Sequence, residues 1–220
     1  MIKKGTLVFA GIMLLFIMPC FMPSIVGNPD SVTIRLYPTD DAFIDNYSTN
    51  NAGSLDYLII RNEYGTGGSD VYEYNAFIKF DISSITTGIS ISSATMHLFY
   101  YDWFDSNPIG RDLNLYRVIS NWDEDTLTGS SGPLCASVPT THATVSGLYD
   151  WMTLAFTSDV QDIVDGTLVN YDWKIMDENY WGSDSIPSTY AYSTEYGDYV
   201  PYLEIEYEEH IITVTSQYWR

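Results

Sequence analysis

Cysteine is nearly missing from this chain, and histidine and basic residues are scarce. Only Cys20 and Cys135 occur. Cys20 falls in an apolar N-terminal stretch, so the remainder carries one thiol and no internal disulfide can staple it. The three histidines, His97, His142 and His210, are scattered, and none stands at metal-ligand spacing from another. No serine sits in a Gly-x-Ser-x-Gly turn. Nine lysines and arginines face 29 acids, a net charge of −20. Such a surface repels phosphate backbones and anionic lipid, which excludes nucleic acid and membrane surfaces as partners. With so many acids, close carboxylate pairs arise by chance, and no pair marks a general acid and base. The chain therefore reads as a non-enzyme.

Only one apolar run is long. After Met1-Ile2-Lys3-Lys4, no charge occurs from Gly5 to Gly27, and Leu7 to Ile17 is densely apolar. Pro19, Pro23 and the exit Ser24-Ile25-Val26-Gly27 give residues 1–27 the layout of an export signal. The alternative is an uncleaved N-terminal anchor, because about 20 apolar residues can span a bilayer. Both place the body of the protein outside the cytoplasm, extracellular or at the cell surface. Two of the nine bases lie in this segment, so the rest sets seven bases against 29 acids. Asn46-Tyr47-Ser48 is a glycosylation acceptor pattern.

What is abundant is tyrosine, 19 residues, among short apolar runs broken by Gly, Asn, Asp, Ser and Pro. Val32, Ile34 and Leu36 alternate with Thr33, Arg35 and Tyr37. The same period of two recurs over 76–81, 94–101 and 113–119, the mark of strands with one face on a core. Further strand candidates are 41–45, 57–61, 151–156, 171–177, 188–193 and 200–207. One helix is expected over 158–165, with Ser158 as N-cap, Gln161 completing a capping box, and Gly166 ending it. About ten strands and one short helix predict an all-β, antiparallel, jelly-roll-like sandwich as a single domain over 28–207. The Gly- and Ser-rich stretch 127–147 reads as a long loop. Residues 208–220 read as a tail, with 211–215 as an extra edge strand or the start of an incomplete module.

The order of short motifs resembles a known family. Asp41-Ala42-Phe43-Ile44-Asp45, Asn51-Ala52-Gly53 and Leu58-Ile59-Ile60 are similar to the opening of the DNRLRE family. That family is related to disaggregatase repeats and to the alginate-binding carbohydrate-binding module family 96. The resemblance continues through Asn75 to Ser83, Ile91 to Leu98, Leu115-Tyr116-Arg117-Val118 and Trp122 to Thr128. It closes with Trp151 to Gly166, Tyr192-Ser193-Thr194-Glu195 and Pro201-Tyr202-Leu203. Two departures stand out: Gly129 follows Thr128 where the family usually has Trp, and Asn75 stands where an arginine is expected. The resemblance implies a jelly-roll module that binds a polysaccharide, an acidic one, without turning it over.

Sugar binding calls for flat aromatic faces and fork-like polar groups. Trp103, Trp122, Trp173, Trp181, Tyr190 and Tyr192 are the available platforms. Trp122 suits a core or corner, whereas Trp103 and Trp181 sit in Asp/Gly/Ser-rich loops; packing over the sandwich edges is the alternative for each. Four cations fall on strands: Arg61, Lys79, Arg117 and Lys174. Together they would make a basic groove for a polyuronate; apart, each would pair with a local carboxylate for about 0–1 kcal/mol. Asp40, Asp41 and Asp45, joined by Glu204 or Glu206 where first and last strands meet, offer oxygen ligands for a structural Ca²⁺. The rival readings are a structural subunit of the cell envelope or of a surface filament, contacting other envelope proteins or copies of itself, and a fragment of a polysaccharide-degrading enzyme.

Overall fold

A computed structural model describes residues 30–64, 71–179 and 186–209. The expected export signal, the tail from 210 onward and Trp181 lie outside the described residues.

Eleven strands, one short helix and one 3-10 turn make up the described chain. In order they are β1 (Asp30–Leu36), β2 (Asp40–Asp45), β3 (Tyr57–Tyr64), β4 (Val71–Lys79), β5 (Ser90–Asp102) and β6 (Asp112–Arg117). There follow β7 (Thr141–Thr144), β8 (Asp150–Ala155), α1 (Thr157–Val164), β9 (Trp173–Met176), β10 (Ser188–Tyr192), a 3-10 turn (Thr194–Tyr196) and β11 (Tyr202–Glu209). Every pairing is antiparallel. The hydrogen-bonded path runs β1-β11-β5-β10-β3-β4-β9-β6-β7, with β8 on the far edge of β5 and β2 on the far edge of β4. The long β5 makes this possible. Residues 90–97 pair with β11, and beyond them Tyr100 and Asp102 pair with β10. The path curls so that β1-β11-β5-β8 faces β2-β4-β9-β6-β7, with β10 and β3 joining the two layers. This is the expected all-β sandwich.

The period-two pattern decides which side chains enter it. Ala76, Ile78, Ala94, Met96, Leu98, Tyr100, Leu115, Leu154, Trp173, Ile175, Leu203 and Ile205 are buried together in the main core. A second cluster forms on the outer side of β4, where Phe77, Ala42 and Ile44 are covered by Val118, Trp122 and Leu127.

Three local expectations are corrected. The helix starts at Thr157, its N-cap position is Phe156, and no side chain caps it. Gln161 is not a capping-box partner: its amide accepts from the Ile91 N–H at 2.7 Å and donates to the Ile89 carbonyl at 3.0 Å, pinning the start of β5. Val160 and Val164 are buried as predicted, and Gly166, at φ 75°, closes the segment with its N–H on the Ile163 carbonyl. The stretch 127–147 contains β7, paired with β6. The last strand also extends through residues 208 and 209, so they belong to the sandwich and not to the tail.

Candidate functional site

Outward residues of the β11-β5-β8 layer are polar over one half, with Glu204, Glu206, Ser93 and Thr95, and aromatic over the other. On β5, Met96, Leu98 and Tyr100 point inward, yet the alternate positions are His97, Phe99 and Tyr101. Antiparallel register sets further rings beside them: Tyr202 opposite His97, Trp151 opposite Phe99, and Tyr192 opposite Tyr57. The result is a band of aromatic rings across the outer face. Tyr202 meets Trp151 at 5.1 Å between centroids, Trp151 meets Phe99 at 5.3 Å, and Phe99 meets Tyr192 at 5.9 Å. Tyr192 lies flat on Tyr101 at 4.0 Å, with planes 2° apart, and on its other side on Tyr196 at 3.7 Å. Tyr101 reaches Tyr190 at 6.4 Å, Tyr190 reaches Tyr57 at 5.7 Å, and Tyr57 reaches Phe43 at 5.8 Å. Stacked and edge-to-face pairs contribute about 0.5–1.5 kcal/mol each beyond area burial. The rings therefore brace one another.

Two tyrosines in the loops leading into β8 and β11 sit on strained backbone. Tyr149 (φ 58°) is 70% exposed, and Tyr199 (φ 52°) is 54% exposed while its ring lies 4.3 Å from Phe99. A bulky residue in the left-handed region costs about 1–3 kcal/mol and persists only where its surroundings impose it. Beside Tyr199, a cleft of about 290 Å³ is lined by Arg35, Tyr37, Trp151, Asp198 and Tyr202. At the other end of the band, a second cleft of about 290 Å³ is lined by Phe43, Asp45, Asn50, Asn51, Tyr57 and Tyr74. Both are near the small end of ligand pockets, about 300–1,000 Å³.

The electrostatics of the band are acidic. Burial first, then the charges of Asp56 and Asp102, hold the Tyr101 hydroxyl well above the usual phenol range. The Tyr192 hydroxyl is pushed up to about 12 by its hydrogen bond with Tyr196 and by burial. Burial pushes His97 down, so it is neutral near pH 7 under the stacked Tyr202 ring. The two guanidiniums at the ends are each held by a carboxylate: Arg35 by Glu204 at 2.8 Å and Arg61 by Asp105 at 2.8 Å.

Beneath the band, polar stitches fix the 193–201 turn that carries Tyr196 and Tyr199. The Asp41 carboxylate accepts from the Thr194 N–H at 3.0 Å and hydroxyl at 2.7 Å. Glu124 accepts the Asp41 N–H at 2.9 Å, and the Ser193 hydroxyl donates to the Leu55 carbonyl at 2.7 Å. Asn51 donates to the carbonyls of Glu124 and Leu127. These are the motif residues of the sequence, and their visible work is to hold segments together.

The residues expected to bind fall in several places. Tyr190 and Tyr192 lie in the band. Trp103 is 37% exposed on the loop after β5, next to Phe104, and among the described residues no ring contact joins it to the band. Trp173 is wholly buried against Phe80 and Phe156, and Trp122 is buried with its indole N–H on the Tyr171 carbonyl, so neither is a platform. The four cations do not form one groove. Lys79 lies under the 118–135 segment, 3.3 Å from Asp40 and donating to the Trp122 carbonyl at 2.9 Å. Arg117 points to the inner side with Leu115 and approaches Asp159 of α1 at 4.0 Å. Lys174 shares the outer side of β9 with Phe77 and sits 4.9 Å over the Tyr116 ring, without an ion-pair partner among the described residues. Arg61 is at the β3 end of the band. The proposed calcium ligands are also dispersed, because alternation and pairing send them apart: Asp40 goes to Lys79, Asp41 to Thr194, Asp45 to the Tyr47 N–H at 3.0 Å, and Glu204 to Arg35 on the other layer. Among the described residues, no group of three His, Cys, Asp or Glu side chains converges on a metal position.

Trp151, Phe99, Tyr101, Tyr57, Tyr196, Tyr199 and Tyr202 were not singled out by the sequence. The available signal was on β5, which is aromatic on its outward positions and apolar on its inward ones. A strand greasy on both sides needs cover for each.

The model of carbohydrate-binding module family 96 matches residues 32–207, the whole of the sandwich just described apart from its first and last two residues. No curated protein matches the chain.

Proposed function

Because the chain belongs to carbohydrate-binding module family 96, we propose that it binds a polysaccharide on the aromatic band, outside the cell and without turnover. The observation that supports this most is the unbroken series of rings from Tyr202 to Phe43 along one sheet face, each centroid within 6.4 Å of the next; Phe99 and Phe43 are buried within it, and the half-buried rings of Tyr202, Trp151, Tyr101, Tyr190 and Tyr57 reach the surface. Apolar C–H faces of sugar rings stack on such surfaces, while hydroxyls find acceptors among the rim carboxylates. The apolar N-terminal segment supports export. Binding without turnover fits a site made of stacked rings, whose nearby cations are already engaged by carboxylates.

Affinity-gel retardation and calorimetry against a panel of soluble glycans test the assignment. The double variant Trp151→Ala plus Tyr192→Ala is expected to lose binding at least tenfold with an unchanged circular dichroism spectrum. Lys79→Ala plus Lys174→Ala, on the other layer, is expected to bind as the wild type does. Equal affinity of the band variant and the wild type would remove the site from the band. Release of new reducing ends or unsaturated products would revive the enzymatic reading.

A further inference from the structure

We infer that Arg35 reads a carboxylate on the glycan: the open end of its guanidinium receives an acidic sugar in the cleft beside Tyr199. The inference rests on the binding reading above and assigns charge recognition to one end of the band. Exposure is the first ground. The Arg35 side chain is 58% exposed, whereas those of Arg61, Lys79, Arg111 and Arg117 are between 10% and 29% exposed. Glu204 holds it through Nε alone, at 2.8 Å. A guanidinium carries five N–H donors, and the four on the two Nη atoms make no hydrogen bond among the described residues. Those two nitrogens form a planar fork that matches both oxygens of a carboxylate, and such bidentate pairs are among the strong hydrogen bonds.

Placement is the second ground. The fork is held in position, with the guanidinium carbon 4.8 Å from the centre of the Tyr202 ring and Glu204 at its side. Tyr37, Trp151 and Tyr199 line the same cleft, so a sugar ring stacked there brings its carboxylate to the fork. Asp198, on the same cleft, can accept a hydroxyl of that sugar. The rest of the band offers an anion nothing comparable. Asp56 and Asp102 act on Tyr101, and the far cleft is lined by Asp45, Asn50 and Asn51. The Arg61 guanidinium stands 5.4 Å over the Phe104 ring and is paired with Asp105.

Calorimetry on the protein in EDTA tests this with tetramers of mannuronate, guluronate, galacturonate and glucuronate, each beside its carboxyl-reduced counterpart. One acid type is expected to bind at least tenfold tighter than its reduced partner, and about 0.5 M salt is expected to shrink that ratio. In Arg35→Ala the ratio is expected to fall to about one. In Arg35→Lys, which keeps the charge and loses the fork, an intermediate ratio is expected. Removing Arg35 also bares Glu204, so the double variant Arg35→Ala plus Glu204→Gln is the control, and its ratio is expected to stay near one. A wild-type ratio near one, a ratio unchanged in Arg35→Ala, or one restored in that double variant overturns the inference. So does a preference seen only when Ca²⁺ replaces EDTA, which would make a bridging cation the reader. In each of these cases, loss of binding to both partners in Trp151→Ala plus Tyr192→Ala leaves the site itself standing. If no tetramer binds, or binding ignores the band variant, the site reading falls and this inference with it.

Discussion

Asp41 is a carboxylate almost wholly removed from water, with the acids Glu124 and Glu195 close by. Burial first, opposed by the Thr194 hydrogen bonds and reinforced by those two neighbours, pushes its pKa to about 7, and its Oδ1 is buried without a hydrogen-bond partner among the described residues. The folded protein therefore holds a proton here that the unfolded chain, near 3.8, has already released. The folded state binds more protons between about pH 4 and pH 7, so this group's share of stability is fully present below about 4. It is lost as pH rises to about 7, at about 1.4 kcal/mol per pH unit. Asp41→Asn keeps an acceptor for Thr194 and abolishes the titration, so urea melts at pH 5 and pH 8 are expected to differ less than in the wild type. Asp41→Ala removes both bonds and is expected to cost about 1–3 kcal/mol. It is also expected to weaken glycan binding, because Thr194 opens the turn carrying Tyr196 and Tyr199. A pH slope unchanged in Asp41→Asn would assign the proton to another group.

At the scale of elements, the segment after Trp122 shows how a loop becomes as constrained as a strand. Gly129 donates its N–H to the Ser48 carbonyl at 3.1 Å, and a Cβ there would stand 1.9 Å from the Asp45 carbonyl oxygen and 2.9 Å from the Asn46 Cα. Those are backbone atoms at the end of β2, with no flexible tip to give way. Only glycine fits, which accounts for this chain's departure from the tryptophan usual at that place. Gly129→Ala is expected to destabilise by about 1–3 kcal/mol or more, read as a fall in melting temperature. A melting temperature within one degree of the wild type would show that the loop can lift away. Strands with a core-facing alternation were legible because burial itself writes that pattern. β7 was not, since in Thr-His-Ala-Thr only Ala143 packs on the core and its pairing with β6 comes from the fold. The helix was legible from Val160 and Val164, whereas its start was misplaced because Thr157 and Gln161 bond to the start of β5 and not to the helix end. The aromatic band was legible only at Tyr190 and Tyr192. Its other rings come from β2, β3, β5, β8, β11 and the 193–201 turn, one to three from each, and no local stretch announces a surface that register assembles.

Over the whole molecule, the excess of acid is distributed so that most cations are used up locally. Arg35, Arg61, Lys79, Arg111 and Arg117 lie against Glu204, Asp105, Asp40, Asp177 and Asp159. The Arg111–Asp177 pair is the deepest, with side chains 10% and 3% exposed, and burial still outweighs the guanidinium in pushing the Asp177 carboxyl up. What remains is a surface of uncompensated carboxylates at a net charge of −20. Self-repulsion of that kind opposes the compact state and is screened by salt, the Debye length shrinking from about 30 Å at 0.01 M to about 10 Å at 0.1 M. Asp172, pushed to about 7 by burial, which the Phe80 N–H bond and the Lys79 charge only partly offset, adds a second group with the same sign as Asp41. The two effects respond to different variables, so they can be separated. At 0.01 M salt the melting temperature is expected to fall from pH 5 to pH 8, since buried carboxyls lose protons and surface repulsion grows together. Raising salt to 0.5 M at pH 8 is expected to recover the surface part of that fall and leave the buried part, which screening hardly reaches. Calorimetric scans over those two axes measure both, at about 2–4 °C per kcal/mol for a chain of this size. Full recovery by salt would place the whole penalty on the surface and leave Asp41 and Asp172 ionised at no cost. No recovery at all would mean that the surface charge is spread too thinly to matter, and the whole fall would belong to the buried carboxyls Asp41 and Asp172.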